Sequence, residues 1–363
     1  PKIFVFHNCL TTELSLTKNK VNRKSYFKNI KPLLKDVNKV FISEKKRKDW
    51  ELNGEVILPG LDIYDYGGYR GDMETVLQVG NQLQERDLMM GYTTSKKIVG
   101  NHPLITIGEN SNIHNSRLSD GFQDLLENYR SCRVFINTTV DEYEDGYNLS
   151  MLEAMATGMP VVSSWNKSSP IEDGKNGYIS NDLNYLNKCI ESLLKDPEKA
   201  IRIGKLGQKT LQDKFPLHRF LDSWQKVINQ SVLAFLERTG VNLKKTNIPF
   251  NAKVRKNILM DFVSYPATTA HYLERAFRKN HNVITCGSQI NEKVIKLWNL
   301  EDLNWDITPQ DIFRGNKTTL KEVMKQLPNK WKPDFYLWIE TGLSDIPIDL
   351  RELNLPTACY LID

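Results

Sequence analysis

Residues 133–164 read RVFINTTVDEYEDGYNLSMLEAMATGMPVVSS. Arg133–Asn137 is a short apolar, β-branched run that predicts a strand, and the polar, acidic stretch after it predicts a loop. Leu149, Leu152, Met155 and Ala156 fall at i, i+3, i+6 and i+7, one face of a helix. Gly158 is placed to end that helix and Pro160 to open the next strand. Strand, loop, helix and strand make one step of a doubly wound α/β sheet. Ligands of such sheets bind outside the carboxyl ends of the strands. The free N–H groups and positive dipole end of a helix N-terminus suit a phosphate there. Gly146 lets a ligand approach the backbone, and Glu153 lies one turn into the helix beside that place.

The same alternation runs outward in both directions. Strand candidates are 2–6, 39–43, 56–60, 75–80, 104–108, 133–137, 160–164, 257–262, 282–287, 334–340 and 357–362, with helical stretches at 183–195, 197–214 and 217–237. Continuous apolar runs suit a parallel sheet buried on both faces. At roughly 100–200 residues per domain, 363 residues predict about two domains. Lys plus Arg is 49 and Asp plus Glu 44, and the net charge of +5 is too thin for a dedicated nucleic-acid binder. The five cysteines, Cys9, Cys132, Cys189, Cys286 and Cys359, are scattered without C-x-x-C pairs. They read as buried thiols in a reducing, cytoplasmic setting, not as metal ligands or a disulfide framework. No run of 18 apolar residues crosses a membrane. The basic run EKKRKDW (44–50) reads as a solvated helix face, with peripheral membrane or anionic-acceptor contact as its minority reading. Tyr64, Tyr66 and Tyr69 read as packing around a domain boundary.

The segment DGYNLSMLEAMATGMPVVSS resembles the E-G-F-G-L-x-x-x-E-A-M-A-x-G-x-P-V-V signature of glycosyltransferase family 4. That resemblance implies the GT-B fold, two Rossmann-like parallel-sheet domains facing a cleft. It also implies transfer of a sugar from a nucleotide-sugar donor with retention and without a metal. The family spaces two acids as E-x₇-E. Glu153 falls on the second, which holds the ribose. Asp145 falls on the first, which contacts the donor sugar, and Glu144 beside it is the alternative. Gly146, Tyr147, Asn148 and Leu149 complete the donor-binding segment. TVLQVGNQLQERD (75–87) resembles the family's V-G-R-L-x-x-E-K-G. There Gly80 takes the glycine position, Asn81 the arginine position, and Arg86 the lysine position that faces the diphosphate. The catalytic set implied is Asp145, Glu153 and Arg86. No cofactor is implied beyond the nucleotide-sugar substrate; the acceptor is a glycan or another molecule. IEDGKNGYI (171–179) and VILPGLD (56–62) also follow family segments.

The flanks resemble parts of an acceptor domain. Residues 257–287 read strand, loop, helix, strand, with Ala276, His281 and Val283 fitting L-A-x-x-L-x-x-x-G-H-x-V. The loop SYPATT (264–269) replaces the usual glycine-rich one. PKIFVFHN at the start places His7 on the acceptor side, and the flanks together resemble the glycosyltransferase-like proteins of spore-coat maturation. The organisation expected is therefore 1–62, the later part of an acceptor-type domain, and 63–236, the donor-binding domain. A linker at 237–256 and an acceptor-type beginning at 257–363 follow. PKIFVFHN and PTACYLID fill equivalent strand positions, which favours a window on a tandem enzyme over a circular permutation. The rival to a transferase is a catalytically silent nucleotide-sugar-binding or scaffolding module, suggested by Asp145, Asn81 and SYPATT.

Overall fold

The computed structural model describes residues 3–16, 21–32, 34–35, 37–239, 255–264, 269–290, 292–297, 309–315, 317–340 and 346–361. Most of the expected linker, 240–254, and residues 265–268 of SYPATT lie outside these residues. The strands are β1 (Ile3–Phe6), β2 (Asn38–Phe41), β3 (Glu55–Val56), β4 (Met73–Val79), β5 (Leu104–Ile107), β6 (Ser116–Arg117), β7 (Cys132–Asn137), β8 (Val161–Ser164), β9 (Tyr178–Ser180), β10 (Asn257–Asp261), β11 (Asn282–Gly287), β12 (Ile312–Phe313), β13 (Phe335–Glu340) and β14 (Thr357–Leu361). The helices are α1 (Leu10–Leu16), α2 (Arg23–Ile30), α3 (Glu44–Trp50), α4 (Asp87–Met90), α5 (Tyr92–Val99), α6 (Phe122–Ser131), α7 (Leu149–Thr157), α8 (Leu183–Lys195), α9 (Pro197–Lys214), α10 (Leu217–Thr239), α11 (Thr269–Asn280), α12 (Glu292–Leu297) and α13 (Leu320–Lys325).

The chain divides into two compact units. The larger comprises Phe6–Asn29 and Phe41–Gln225; the smaller comprises Pro1–Val5, Ile30–Val40 and Lys226–Asp363. In the larger unit six parallel strands stand in the order β6-β5-β4-β7-β8-β9. Counted from β4, that is 3-2-1-4-5-6, the doubly wound order whose direction reverses between β4 and β7. Residues alternate across the sheet. Val76, Val134 and Ile136 join Ile98 and Val99 of α5 and Leu186, Ile190 and Leu193 of α8 in one core. Leu77 and Phe135 join Met151, Leu152 and Met155 of α7 and Leu211 of α9 in the other. Each fully buried Leu or Met contributes about 1.5–3 kcal/mol. At the carboxyl ends of β1 and β2, Phe6 and Phe41 stack at 4.5 Å, and Trp50 of α3 meets Phe6 edge-on at 4.7 Å. Those rings fix α3, whose first turn is capped by Ser43 Oγ accepting from Lys46 N at 3.1 Å.

The smaller unit contains a five-stranded parallel sheet, β12-β11-β10-β13-β14. Counted from β10 it is 3-2-1-4-5, again Rossmann-like. Met260, Phe262 and Ile339 pack on one face, and Leu259, Tyr336 and Trp338 on the other. The echoing strands β1 and β14 belong to different sheets.

Three features depart from the sequence reading. The strand expected at 56–60 is only Glu55–Val56. Beyond it Pro59 and Gly60 pass hard against α10, where a Cβ on Gly60 would stand 2.4 Å from Phe220 Cβ. The short strands β6, β9 and β12 were not expected. Cys359 is exposed, while the other four cysteines are buried, and none of the five is in a disulfide.

α7 and α9 meet through glycine. A Cβ on Gly204 would lie 1.8 Å from Gly158 O, a backbone atom that cannot swing aside. Gly204→Ala is therefore expected to cost about 1–3 kcal/mol of stability by overpacking. Urea denaturation checks this, and an unchanged midpoint would refute the close approach.

Candidate functional site

The order reversal places two loops side by side in sequence logic: the one after β4, holding Gly80, Asn81 and Arg86, and the one after β7, holding Glu144–Asn148. The second is locked by its own polar groups. Asn148 is extended (φ −130°, ψ 173°), and its side-chain oxygen accepts from Met151 N at 2.8 Å, capping α7. Asn148 Nδ2 donates to Asn137 Oδ1 at 3.3 Å, and Asn137 Nδ2 donates to Gly146 O at 3.4 Å. Gly146 N donates to Ser168 Oγ at 2.8 Å. A Cβ on Gly146 would stand 2.4 Å from Ser169 N, so only glycine fits. The cap takes the Met151 N–H and leaves those of Leu149 and Ser150 at the positive end of the helix dipole. Leu149 itself is exposed.

Asp145 is buried, and its cation comes from α3. Lys46 Nζ lies 2.6 Å from Asp145 Oδ2 and also pairs with Glu144 Oε1. The side chains of Lys46 and Asp145 are each only 2% exposed. This corrects the reading of 44–50 as a solvated face. Lys46 shares the helix face of Trp50, four residues on, and both are buried. Burial pulls the Lys46 pKa down, but the Glu144 and Asp145 charges outweigh it and hold it above the ordinary lysine value. Lys45 Nζ pairs with Asp141 and donates to Glu144 O at 2.8 Å. In this cluster one atom stays over: Asp145 Oδ1 is buried and has no hydrogen-bond partner among the described residues.

Glu153 faces a different environment. Tyr129 donates to its Oε2 at 2.9 Å and Tyr66 to its Oε1 at 3.2 Å. Burial raises its pKa above the usual carboxylate value, and the two hydroxyls only partly offset this. Tyr66 and Tyr69 pack against the core that contains α7, Tyr69 donating to Arg133 O at 2.6 Å, whereas Tyr64 is exposed. Sequence reasoning missed Lys46 and Tyr129. The i, i+4 pairing of Lys46 with Trp50 was the signal for the first; the second has none in one sequence.

Across the order reversal, Gly80 N donates to Ile107 O at 2.9 Å, and Asn81 Oδ1 accepts from Glu109 N at 3.0 Å. The Asn81 side chain thus holds the neighbouring loop. Arg86 is exposed at the N-cap of α4 and makes no side-chain cap bond. Among the described residues no ion pair or hydrogen bond joins Arg86 to the α7 loop. His7 sits half-buried just after β1. No group of three or more His, Cys, Asp or Glu among the described residues is placed to hold a metal ion.

Residues 85–196 match the family model Glycosyl transferases group 1. The match covers the α7 loop and α7 entire. A comparison with curated proteins finds no match. Among solved structures, sucrose-phosphate synthase from Thermosynechococcus elongatus aligns with a TM-score of 0.50 at 15% identity, over 64% of this chain and 68% of that one. S. aureus TarM, solved with UDP and alpha-GlcNAc-glycerol, aligns with a TM-score of 0.48 at 20% identity, over 62% of this chain. The chain spans about half the length of TarM, 50%. Anabaena HepE, solved with UDP and glucose, aligns at 0.47 and 15% identity, over 65% of this chain and 71% of that one. The fold is α/β with Rossmann-like parallel sheets, of the GT-B class, and the family match supports a glycosyltransferase.

Two variants probe the carboxylates. Lys46→Met strands buried charge and is expected to cost about 3–5 kcal/mol in urea denaturation. Glu153→Gln should act oppositely at neutral pH. The raised folded pKa means the folded chain binds that proton more tightly than the unfolded one. Stability carried by Glu153 is therefore full below the unfolded value and is lost as pH rises through the folded one. The Gln variant should match wild type in acid and exceed it at pH 7; a variant weaker at pH 7 would contradict the sign.

Proposed function

We propose that the larger unit binds a nucleotide-sugar donor and transfers its sugar to an acceptor with retention of configuration, without a metal. The observation that carries this reading is the family-matched α7 loop, which holds a buried Asp145 carboxylate whose Oδ1 has no hydrogen-bond partner among the described residues. A buried polar atom left open in a folded chain calls for a partner, and a sugar hydroxyl supplies one.

In this reading the diphosphate lies over the N-terminus of α7, against the Leu149 and Ser150 N–H groups. Arg86 swings in from the loop after β4 to neutralise it. Glu153 holds the ribose, and Asp145, fixed by Lys46, holds the sugar. Gly80 and Gly146 let their loops close against Leu83 and Ser169, which corrects the expectation that Gly146 leaves its backbone open to a ligand, and Tyr147 and Asn148 shape the loop. The bond between the anomeric carbon and the β-phosphate oxygen breaks. A bond to the acceptor oxygen forms on the same face, and the acceptor proton leaves with the phosphate. Charge stabilisation on the departing diphosphate is the main contribution of the site. Glu153 is a costly residue where it stands, as functional carboxylates often are.

Residues 1–62 and 257–363 are read as acceptor-type pieces flanking the donor-binding 63–236, as in a tandem enzyme. No helix of the described residues is long and apolar enough to cross a membrane; the reducing setting read from the scattered cysteines is cytoplasmic. One observation favours the silent-module reading. Asn81, at the family's arginine position, has its side-chain oxygen committed to Glu109 N.

Screening UDP, GDP and ADP by thermal shift should find one that raises the melting temperature. Arg86→Ala should weaken that ligand about tenfold or more, the loss of one charge-assisted hydrogen bond. Glu153→Ala and Arg86→Ala should both depress transfer or donor hydrolysis. Wild-type rates in both would sink the transferase, and binding with no turnover across donor sugars would leave the silent module.

A further inference from the structure

Beside Asp145 the larger unit contains a groove in two chambers. The polar chamber, ≈ 340 Å³, is lined by Asp145, Tyr147, Ser168, Ser169 and Pro170, with Ser43–Lys45 of α3 opposite. The apolar chamber, ≈ 270 Å³, is lined by Val56, Pro59, Pro216, Phe220 and Ser223. Glu44, Leu58, Lys214, Phe215 and Arg219 line both and so form the shared wall. The corner is built by the α9–α10 junction, where Leu61 N donates to Phe215 O at 3.0 Å and Tyr147 packs on Phe215 at 5.0 Å.

The charges facing the groove sort themselves. Glu44 is held by Arg47 and Lys48, Lys45 by Asp141, and Asp145 by Lys46. Asp213, Lys214 and Arg219 remain, and among the described residues none has an ion pair. The two cations stand on the shared wall, whereas Asp213 lines the polar chamber alone. The groove therefore offers the buried Asp145 carboxylate at one end, two cations without an ion pair among the described residues on the shared wall, with Glu44 beside them, and an apolar slot at the other end.

We propose that the apolar chamber is the acceptor site and that the acceptor is a small amphiphile with a phosphate or carboxylate beside a short apolar segment. The inference rests on the transferase reading above. The sugar occupies the polar chamber against Asp145 Oδ1. The acceptor lays its apolar segment along Val56, Pro59, Pro216 and Phe220. Its anionic group meets Lys214 and Arg219, which brings the adjacent hydroxyl to the opening between the chambers.

Isothermal titration of the full chain with hexyl phosphate, inorganic phosphate and 1-hexanol tests this. Hexyl phosphate is expected to bind about tenfold or more tightly than either half, since each supplies only one of the two contacts. Lys214→Ser/Arg219→Ser removes the cations on exposed positions, and Ser223→Trp fills the apolar chamber. Each should weaken hexyl phosphate about tenfold or more. The thermal shift with the nucleoside diphosphate should persist in both, which also reports their folding. Equal affinity for hexyl phosphate in all three proteins overturns the proposal, as does inorganic phosphate binding as tightly as hexyl phosphate. The two readings fail separately. Hexyl phosphate bound in the groove with no nucleoside diphosphate bound removes the donor reading and keeps the amphiphile site. The reverse removes the amphiphile site alone.

Discussion

A single buried ammonium organises the site. Lys46 sits between Glu144 and Asp145 with almost no water around it. Two carboxylates and one cation out of water are a poor source of stability, because desolvation consumes most of the Coulombic gain. An apolar trio of the same volume would serve the core as well. What such a trio cannot do is hold a buried carboxylate oxygen without a protein partner beside a groove, and among the described residues Asp145 Oδ1 is such an oxygen. Everything around it serves the same end. Ser43 caps α3 and Trp50 anchors it on Phe6, Gly146 clears Ser169, and Asn148 fixes where α7 begins.

The two acids of the E-x₇-E spacing stand in opposite electrostatic settings. Asp145 has a full positive charge at hydrogen-bond distance; Glu153 has only two tyrosine hydroxyls and a burial penalty that raises its pKa. Under the proposed reaction a donor diphosphate places its negative charge nearer the first turn of α7 than the interior of the helix. In that reading an acid accepting from ribose hydroxyls is better served by neutral donors behind it than by a cation, which would compete with Arg86 for the phosphate. Under the proposed reaction the arrangement leaves Arg86, which is exposed and has no carboxylate partner among the described residues, to meet the phosphate, while the buried positive charge is spent on Asp145 and Glu144.

Most of the scaffold was legible because it rests on local pattern. Long apolar runs gave the central strands β4, β7, β10, β11 and β13, and the heptad-like spacing of Leu149 to Ala156 gave α7. Strands of two or three residues such as Ser116–Arg117 carry no such pattern; they exist because a longer strand offers an edge, β5 to β6, β8 to β9 and β11 to β12. The site was half legible. The α7 loop is contiguous in sequence, so its motif exposed it. Lys46 was hidden by its neighbours: in EKKRKDW each cation reads as solvated, and only the shared face with Trp50 distinguishes one of them. Tyr129 is hidden more completely, since it reaches Glu153 from α6, twenty-four residues away in sequence, and nothing local marks it.

The α9–α10 corner shows the same division at a larger scale. The gap between the helical stretches 197–214 and 217–237 was visible, but not that Phe215 and Pro216 within it close against residues 58–61 and Tyr147. That closure turns the end of one helix and the start of the next into a wall. It sets Lys214 and Arg219 on the same opening although five residues and a turn separate them. The corner is also tied through Tyr147 to the loop that carries Asp145. A substitution that loosens Phe215 would therefore reach the α7 loop and the groove together, so donor and acceptor positions share one packing contact. Under the proposed reaction that coupling is useful: the two substrates meet at the wall both chambers have in common, and the residue that shapes the wall also braces the carboxylate beside it.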